Sequence, residues 1–326
     1  MTKFGKKFKI ELSTGLSFSP ATVMKAASGL GWNQQFEKMD YRGYRAFLAL
    51  KNSQERGSKM HPETLRDLEE ALNPFDGNGP LLTPEGFAQL PNSISSPWRL
   101  LFRGLRRQFG PLHRKLLVRF ALCDRTAHQI TSSRNEEERI LRRKLAVLPS
   151  LQYWQTTEFA LPWQAFVPLD KLLQHLAWLD VQLSSKSSAP WTRDSIVRLA
   201  EPSQRPMRHW FDSLLHQTKQ NNLVDFCDYL SRSGVLSRNR VVSHDMLKDW
   251  ASTEDLMPYH AVTAVLDGCN EKIEYNQQLH CLWFARLLTF SYSLIGSFSA
   301  EPIDEKAARK AVHERLLQLC AEIRAA

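Results

Sequence analysis

Apolar residues return every third or fourth position along most of this chain, the spacing that lines one face of an α-helix. In SPATVMKAASGLG the pattern opens at Ser19 or Pro20 and stops at Gly29. DYRGYRAFLALKN, from Asp40, repeats it. HPETLRDLEEALNPFDG puts Pro62 and Glu63 in a first turn and Leu65, Leu68 and Leu72 on one face. The pattern then breaks over Asp76–Pro97, where Gly and Pro accumulate as in a linker or a surface arm.

Helical spacing resumes with SPWRLLFRGLRRQFGP. Ser95 or Ser96 can cap this helix, Pro97 falls in its first turn and Gly110-Pro111 ends it. Trp98, Leu101, Phe102, Leu105 and Phe109 share the side that faces a core. A second helix, PLHRKLLVRFALCDR, follows at once. Aromatics and threonines around Tyr153–Phe166 suit a short strand or a loop, and Leu169–Leu183 reads as helix. Ser184–Pro190, SSKSSAP, has linker composition.

Past it the chain is helical to the end. The run Cys281–Phe298 carries Arg286 and several hydroxyls, which predicts a buried core helix stopping near Gly296 rather than a membrane span. The last helix starts with acids and shows Ala308, Val312, Leu316, Leu319 and Ile323 on one stripe, a face for the core or a subunit contact. The fold class expected is all-α and multi-helical, apart from the short strand allowed near 153–166. Its units are an N-terminal helical part (1–75), an arm (76–97), a middle domain (98–183), a linker (184–190) and a C-terminal domain (191–326).

Two segments in that last domain echo one another. TRDSIVRLAEPSQRPMRHWFDSLL begins at Thr192 and SHDMLKDWASTEDLMPYHAVTAVL at Ser243. Each runs from a hydroxyl cap through a helix and a polar loop to a proline-led second helix, which a true repeat or a coincidence of helix pairs would produce equally. A looser version spans Arg45–Leu72.

Charge separates the middle domain from the rest. The chain has a formal net charge of +9, and residues 93–150 hold thirteen Lys/Arg against four Asp/Glu, the whole of that excess. Arg99, Arg103, Arg106 and Arg107 stand at i, i+4, i+7 and i+8, one stripe on a helix, with Arg114 and Lys115 just beyond. Such a stripe can neutralise successive phosphates of a nucleic acid. It also suits an anionic lipid surface, or a solvated face whose arginines pair with acids elsewhere in the fold. Further on, Glu136 precedes Arg139 by three and Glu138 precedes Arg142 by four, the spacing of self-stabilising surface pairs.

With 43% apolar and 10% aromatic residues the chain can bury a substantial core. Its basic N-terminus has no apolar run behind it, so no secretory signal is expected. Cys123, Cys227, Cys269, Cys281 and Cys320 are odd in number, scattered and without CxxC spacing. That argues against a disulfide framework or a zinc site and for a reducing, cytoplasmic compartment. Phosphate-loop, dinucleotide-fold, HExxH and GxSxG signatures are absent from the sequence. Neither cofactor, metal nor catalytic residue is therefore expected, although an enzyme whose residues converge only in the fold stays open.

In Ser243–Gly268, Ser243, Leu247 and Trp250, followed by Pro258, Ala261, Val262, Val265 and Leu266, resemble the last part of a lambda-repressor/Cro-type helix-turn-helix. The resemblance implies that Ser243, His244, Asp245, Lys248 and Asp249 lie on or near the surface that enters a DNA groove. Two features depart from that pattern. SRSGVLSRNRVV stands where the preceding compact helix belongs, and Asp245 and Asp249 repel phosphate. Arg232, Arg238 and Arg240 just upstream compensate as a basic loop. The function expected is nucleic-acid binding, DNA foremost, without catalysis. The alternative is a helical adaptor whose stripe meets an acidic protein partner.

Overall fold

The computed structural model describes residues 18, 20–28, 107–110, 136, 140, 153–154, 159, 161–186, 195–233, 242–252, 257–269, 271–299 and 303–325. The segments expected to be helical at 40–52 and 61–77, the segment 76–97, most of the basic middle segment and Ser187–Pro190 lie outside the described residues.

The described residues are helical, as the periodicity predicts. The elements are α1 (Pro20–Ser28), α2 (Trp163–Lys186), α3 (Ile196–Leu199), α4 (Pro206–Thr218), α5 (Leu223–Arg232), α6 (His244–Ser252), α7 (Tyr259–Cys269), α8 (Tyr275–Phe298) and α9 (Glu305–Ala325). No strand occurs among the described residues beyond isolated bridges at Phe18 and Pro162.

Among the described residues near 153–166 there is no strand, and the chain there is helical in part. Tyr153 and Trp154 are helical, and α2 starts at Trp163, ahead of the expected Leu169. Its first turn closes when Ala165 and Phe166 donate to the Pro162 carbonyl at 2.9 and 3.1 Å. Pro168 inside α2 removes one ladder bond, but Ala165, Phe166 and Val167 are fully buried, and that burial outweighs the local preference.

The core is built around α8. It packs against α1, α2, α3, α4, α7 and α9 and is apolar nearly all round, as a central helix must be. By length and composition α8 would suffice to cross a membrane, yet 72% of its apolar window is buried inside the fold. It runs two residues past Gly296, close to the expected stop.

α9 lies along α2 and also meets α8 and α3. Its predicted stripe is its core face: Ala308, Val312, Leu316 and Leu319 are buried and Ile323 is half-buried. One continuous core thus includes α2, from before the serine-rich run 184–190, and the helices after it.

Local signals fix several helix ends. Asn222 Oδ1 accepts from Val224 N at 2.9 Å and Asp225 N at 3.0 Å, capping α5. Pro206 opens α4. Lys219 ends α4 with φ 58°, an uncommon left-handed position for a residue other than glycine. The first unit of the Thr192/Ser243 echo differs from the second. α3 is a single turn capped by Ser195, whose hydroxyl accepts from Arg198 N, whereas α6 has nine residues. Asp180 of α2 adds a cap from outside, accepting from Ile196 N at 2.6 Å.

Candidate nucleic-acid interface

Of the arginine stripe, Arg107 lies among the described residues. It is exposed at a helical position, while Phe109 packs against the core, as the pattern requires. Gly110 then adopts φ +53°, with open space around its α-carbon, so glycine is needed there for conformation and not for room. Arg99, Arg103, Arg106, Arg114, Lys115, Arg238 and Arg240 lie outside the described residues.

α6 is oriented by its apolar positions. Leu247, Trp250 and Ala251 are buried against α4 and α5, which leaves Asp245, Lys248 and Asp249 exposed and His244 half-buried. Ser243 is half-buried, and its hydroxyl accepts from Met246 N at 3.2 Å as the helix cap. His244 Nδ1 stands 3.7 Å from Asp245 Oδ1. The outward face therefore offers one lysine between two carboxylates.

A helix does precede α6 and pack on it, namely α5. The connection between them spans residues 233–243, longer than the three- or four-residue turn of a helix-turn-helix. α7 also packs on α5, and on α8, so α5 is a partner shared by α6 and α7.

Gly268 does not terminate α7, which runs on to Cys269. A β-carbon at Gly268 would stand 2.7 Å from Leu230 Cδ2 and 3.2 Å from Ser233 Oγ. The glycine therefore marks a close approach of α7 to α5.

Arg205 ties this region together. It precedes α4, donates through Nη1 to the Ser252 carbonyl at the end of α6, and pairs through Nη2 with Glu305 at the start of α9. A cation at one helix C-terminus and an acid at another helix N-terminus both complement the helix dipoles. The sequence carries no signal for this junction, because its partners are 47 and 100 residues away.

The buried charges were equally silent in the sequence. Asp170 and Arg315 form an ion pair at 2.8 Å with side chains 0% and 1% exposed. Burial opposes the Arg315 charge, but Asp170 above all, then Glu322 and Tyr153, outweigh it and raise its pKa above the usual range. Arg286 donates to the carbonyls of Ala27 (3.3 Å) and Met257, tying the end of α1 and the start of α7 to the central helix. Burial lowers its pKa to about 10.

On α2, burial brings Lys171 down to about 7, although part of its side chain reaches the surface, and His175 down to about 3. Burial pushes the Cys269 and Cys320 thiols up to about 12, the opposite of a reactive thiolate. Among the described residues no group of His, Cys, Asp and Glu could hold a metal ion.

No protein-family model, curated protein or solved structure matches the chain.

Residues 191–326 hold sixteen Lys/Arg against seventeen Asp/Glu, so the helical unit containing α6 does not share the positive excess of 93–150. The positive excess and α6 belong to different parts of the chain.

Proposed function

We propose that the chain binds nucleic acid, duplex DNA foremost, through the basic segment 93–150, and that its C-terminal helices form the scaffold. The observation that carries this reading is the segregation of charge: the net +9 resides in 93–150 and 191–326 is close to neutral. The exposure of Arg107, with Phe109 turned to the core, supports a stripe that faces solvent. Arg99, Arg103, Arg106 and Arg107 take successive phosphates, with Arg114 and Lys115 extending the row. Binding of this kind is electrostatic, tolerant of sequence and steeply dependent on salt.

α6 contributes less. Lys248, His244 and the basic Arg238 and Arg240 favour an approach to DNA, and Asp245 and Asp249 oppose it.

The test is retardation of duplex and single-stranded probes across a salt series. Duplex affinity should fall with a log–log slope of about −0.9 per phosphate contacted, and replacing the four stripe arginines by Ala should flatten that slope by roughly 3 to 4. Asp245→Asn with Asp249→Asn should tighten binding if α6 faces the duplex and leave it unchanged if it does not. Failure of the purified protein to retard any probe at low salt would end the proposal. The stripe would then read as a docking surface for an acidic protein.

A further inference from the structure

Each end of the connection between α6 and α7 is held by an arginine that donates to a backbone carbonyl. Arg205 donates to the Ser252 carbonyl at the end of α6, and Arg286 donates to the Met257 carbonyl ahead of α7. The two clamps differ in what holds the arginine. Arg286 is 1% exposed and makes no ion pair among the described residues. Arg205 is anchored by Glu305 of α9, and those two side chains are 28% and 19% exposed. A pair that solvent reaches is of modest strength and can be broken without opening the core.

α6 depends on such a clamp. Nine residues are too few for a helix to persist by itself in water, and α6 keeps its place through Leu247, Trp250 and Ala251, packed on α4 and α5. α9 packs chiefly on other helices, α2, α8 and α3. Arg205 therefore joins two sets of helices, and the carboxylate that fixes its guanidinium comes from outside the set that packs on α6. Arg208, the next arginine, is engaged by Asp212 at 3.0 Å and does not replace it.

We propose that Arg205 and Glu305 form a conformational latch on α6. Glu305 orients the guanidinium, the guanidinium holds the C-terminal end of α6, and breaking the ion pair lets α6 open while the central helix stays protected. Glu305 is thus a positioning residue that acts on α6 through Arg205. The latch does not depend on the nucleic-acid reading, because its residues lie outside the basic segment.

The experiment follows amide hydrogen exchange of the full chain by mass spectrometry, comparing peptides from α6 and α8. Glu305→Gln removes the charge and keeps the shape. It should speed exchange in α6 about fivefold, the scale of a partly exposed ion pair, and leave α8 as in the parent. Asp304→Asn makes the same charge change on the neighbouring exposed side chain and should leave α6 unaltered. Arg205→Met should speed α6 at least as much as Glu305→Gln, and adding Glu305→Gln to it should bring no further change. Any one of four results would overturn the proposal: α6 unaffected by Glu305→Gln, α6 sped equally by Asp304→Asn, α8 sped along with α6, or a double variant that exchanges faster than Arg205→Met alone. If Arg205→Met does not fold, the contrast between Glu305→Gln and Asp304→Asn decides by itself.

Discussion

Removing Arg315 should cost this fold more than almost any other single side chain. Its Nε and Nη2 donate to the two oxygens of Asp170 at 2.8 and 3.4 Å, and its Nη1 donates to Gln318 Oε1 at 3.3 Å. The guanidinium carbon also lies 5.7 Å from the centre of the Tyr153 ring. Asp170 accepts two further bonds, from Trp154 Nε1 at 3.2 Å and Gln174 Nε2 at 3.0 Å.

Arg315→Met keeps most of the apolar volume and leaves a fully buried carboxylate with two neutral donors. Breaking a buried pair in this way costs about 3–5 kcal/mol, roughly a fifth or more of the stability of an ordinary domain. Asp170→Leu strands the guanidinium and also removes the acceptor of Trp154 and Gln174, so it should cost more than Arg315→Met. The double variant loses both charges together. It still leaves the Trp154 and Gln174 donors without an acceptor, at about 1–3 kcal/mol each. Against that, relief of the two ionic desolvation penalties contributes about 1–4 kcal/mol.

The double variant should therefore be more stable than Asp170→Leu alone, its cost far below the sum of the two. Urea unfolding of the full chain, followed by helical circular dichroism and by tryptophan fluorescence, with Trp154 in the site as reporter, measures all four corners of the cycle. Single costs below about 1 kcal/mol, or a double variant additive within about 0.5 kcal/mol, would refute the account.

Three smaller predictions follow from individual contacts. His175 has a folded pKa of about 3 because burial disfavours its charge, against about 6.5 unfolded. The unfolded chain thus binds more protons between those values, and stability is lost as pH falls from about 6.5 toward about 3. The slope from this group approaches 1.4 kcal/mol per pH unit, so His175→Leu should flatten the pH profile in urea unfolding, and a profile parallel to the parent's would count against it. Gly268→Ala should destabilise by about 1 kcal/mol, as crowding against the fully buried Leu230 exceeds the helix propensity gained; an unchanged or raised Tm would show that Leu230 yields freely. Asn222→Ala should cost about 1 kcal/mol through loss of the α5 cap, and Asn222→Gly only a few tenths, an order that matched unfolding curves can check.

The helical class and the partition of faces were legible because they follow from local periodicity. α9 shows this: Ala308, Val312, Leu316 and Leu319 recur at helical spacing, and those side chains are the ones buried. The apolar run of α8 similarly announced a core helix, and the Leu247/Trp250 spacing announced which side of α6 turns inward. The start of α2 at Trp163, ahead of the expected Leu169, was not legible for a physical reason, since Pro168 lies inside its first turns. A proline weakens a helix locally, and only the neighbours that bury Ala165, Phe166 and Val167 decide that the helix continues through it.

The candidate site divides along the same line. Charge is a sum over residues, so the sequence alone determined that the positive excess lies in 93–150 and that 191–326 is near neutral. Hydrogen bonds between distant residues are not. Asp170 and Arg315 are 145 positions apart, Arg205 and Glu305 100, and Arg286 and Ala27 259. Each partner taken singly reads as an ordinary polar residue on a helix. Only the packing of α9 on α2 and of α1 on α8, and the approach of the start of α9 to Arg205, made them neighbours, and the removal of water gave those contacts their strength.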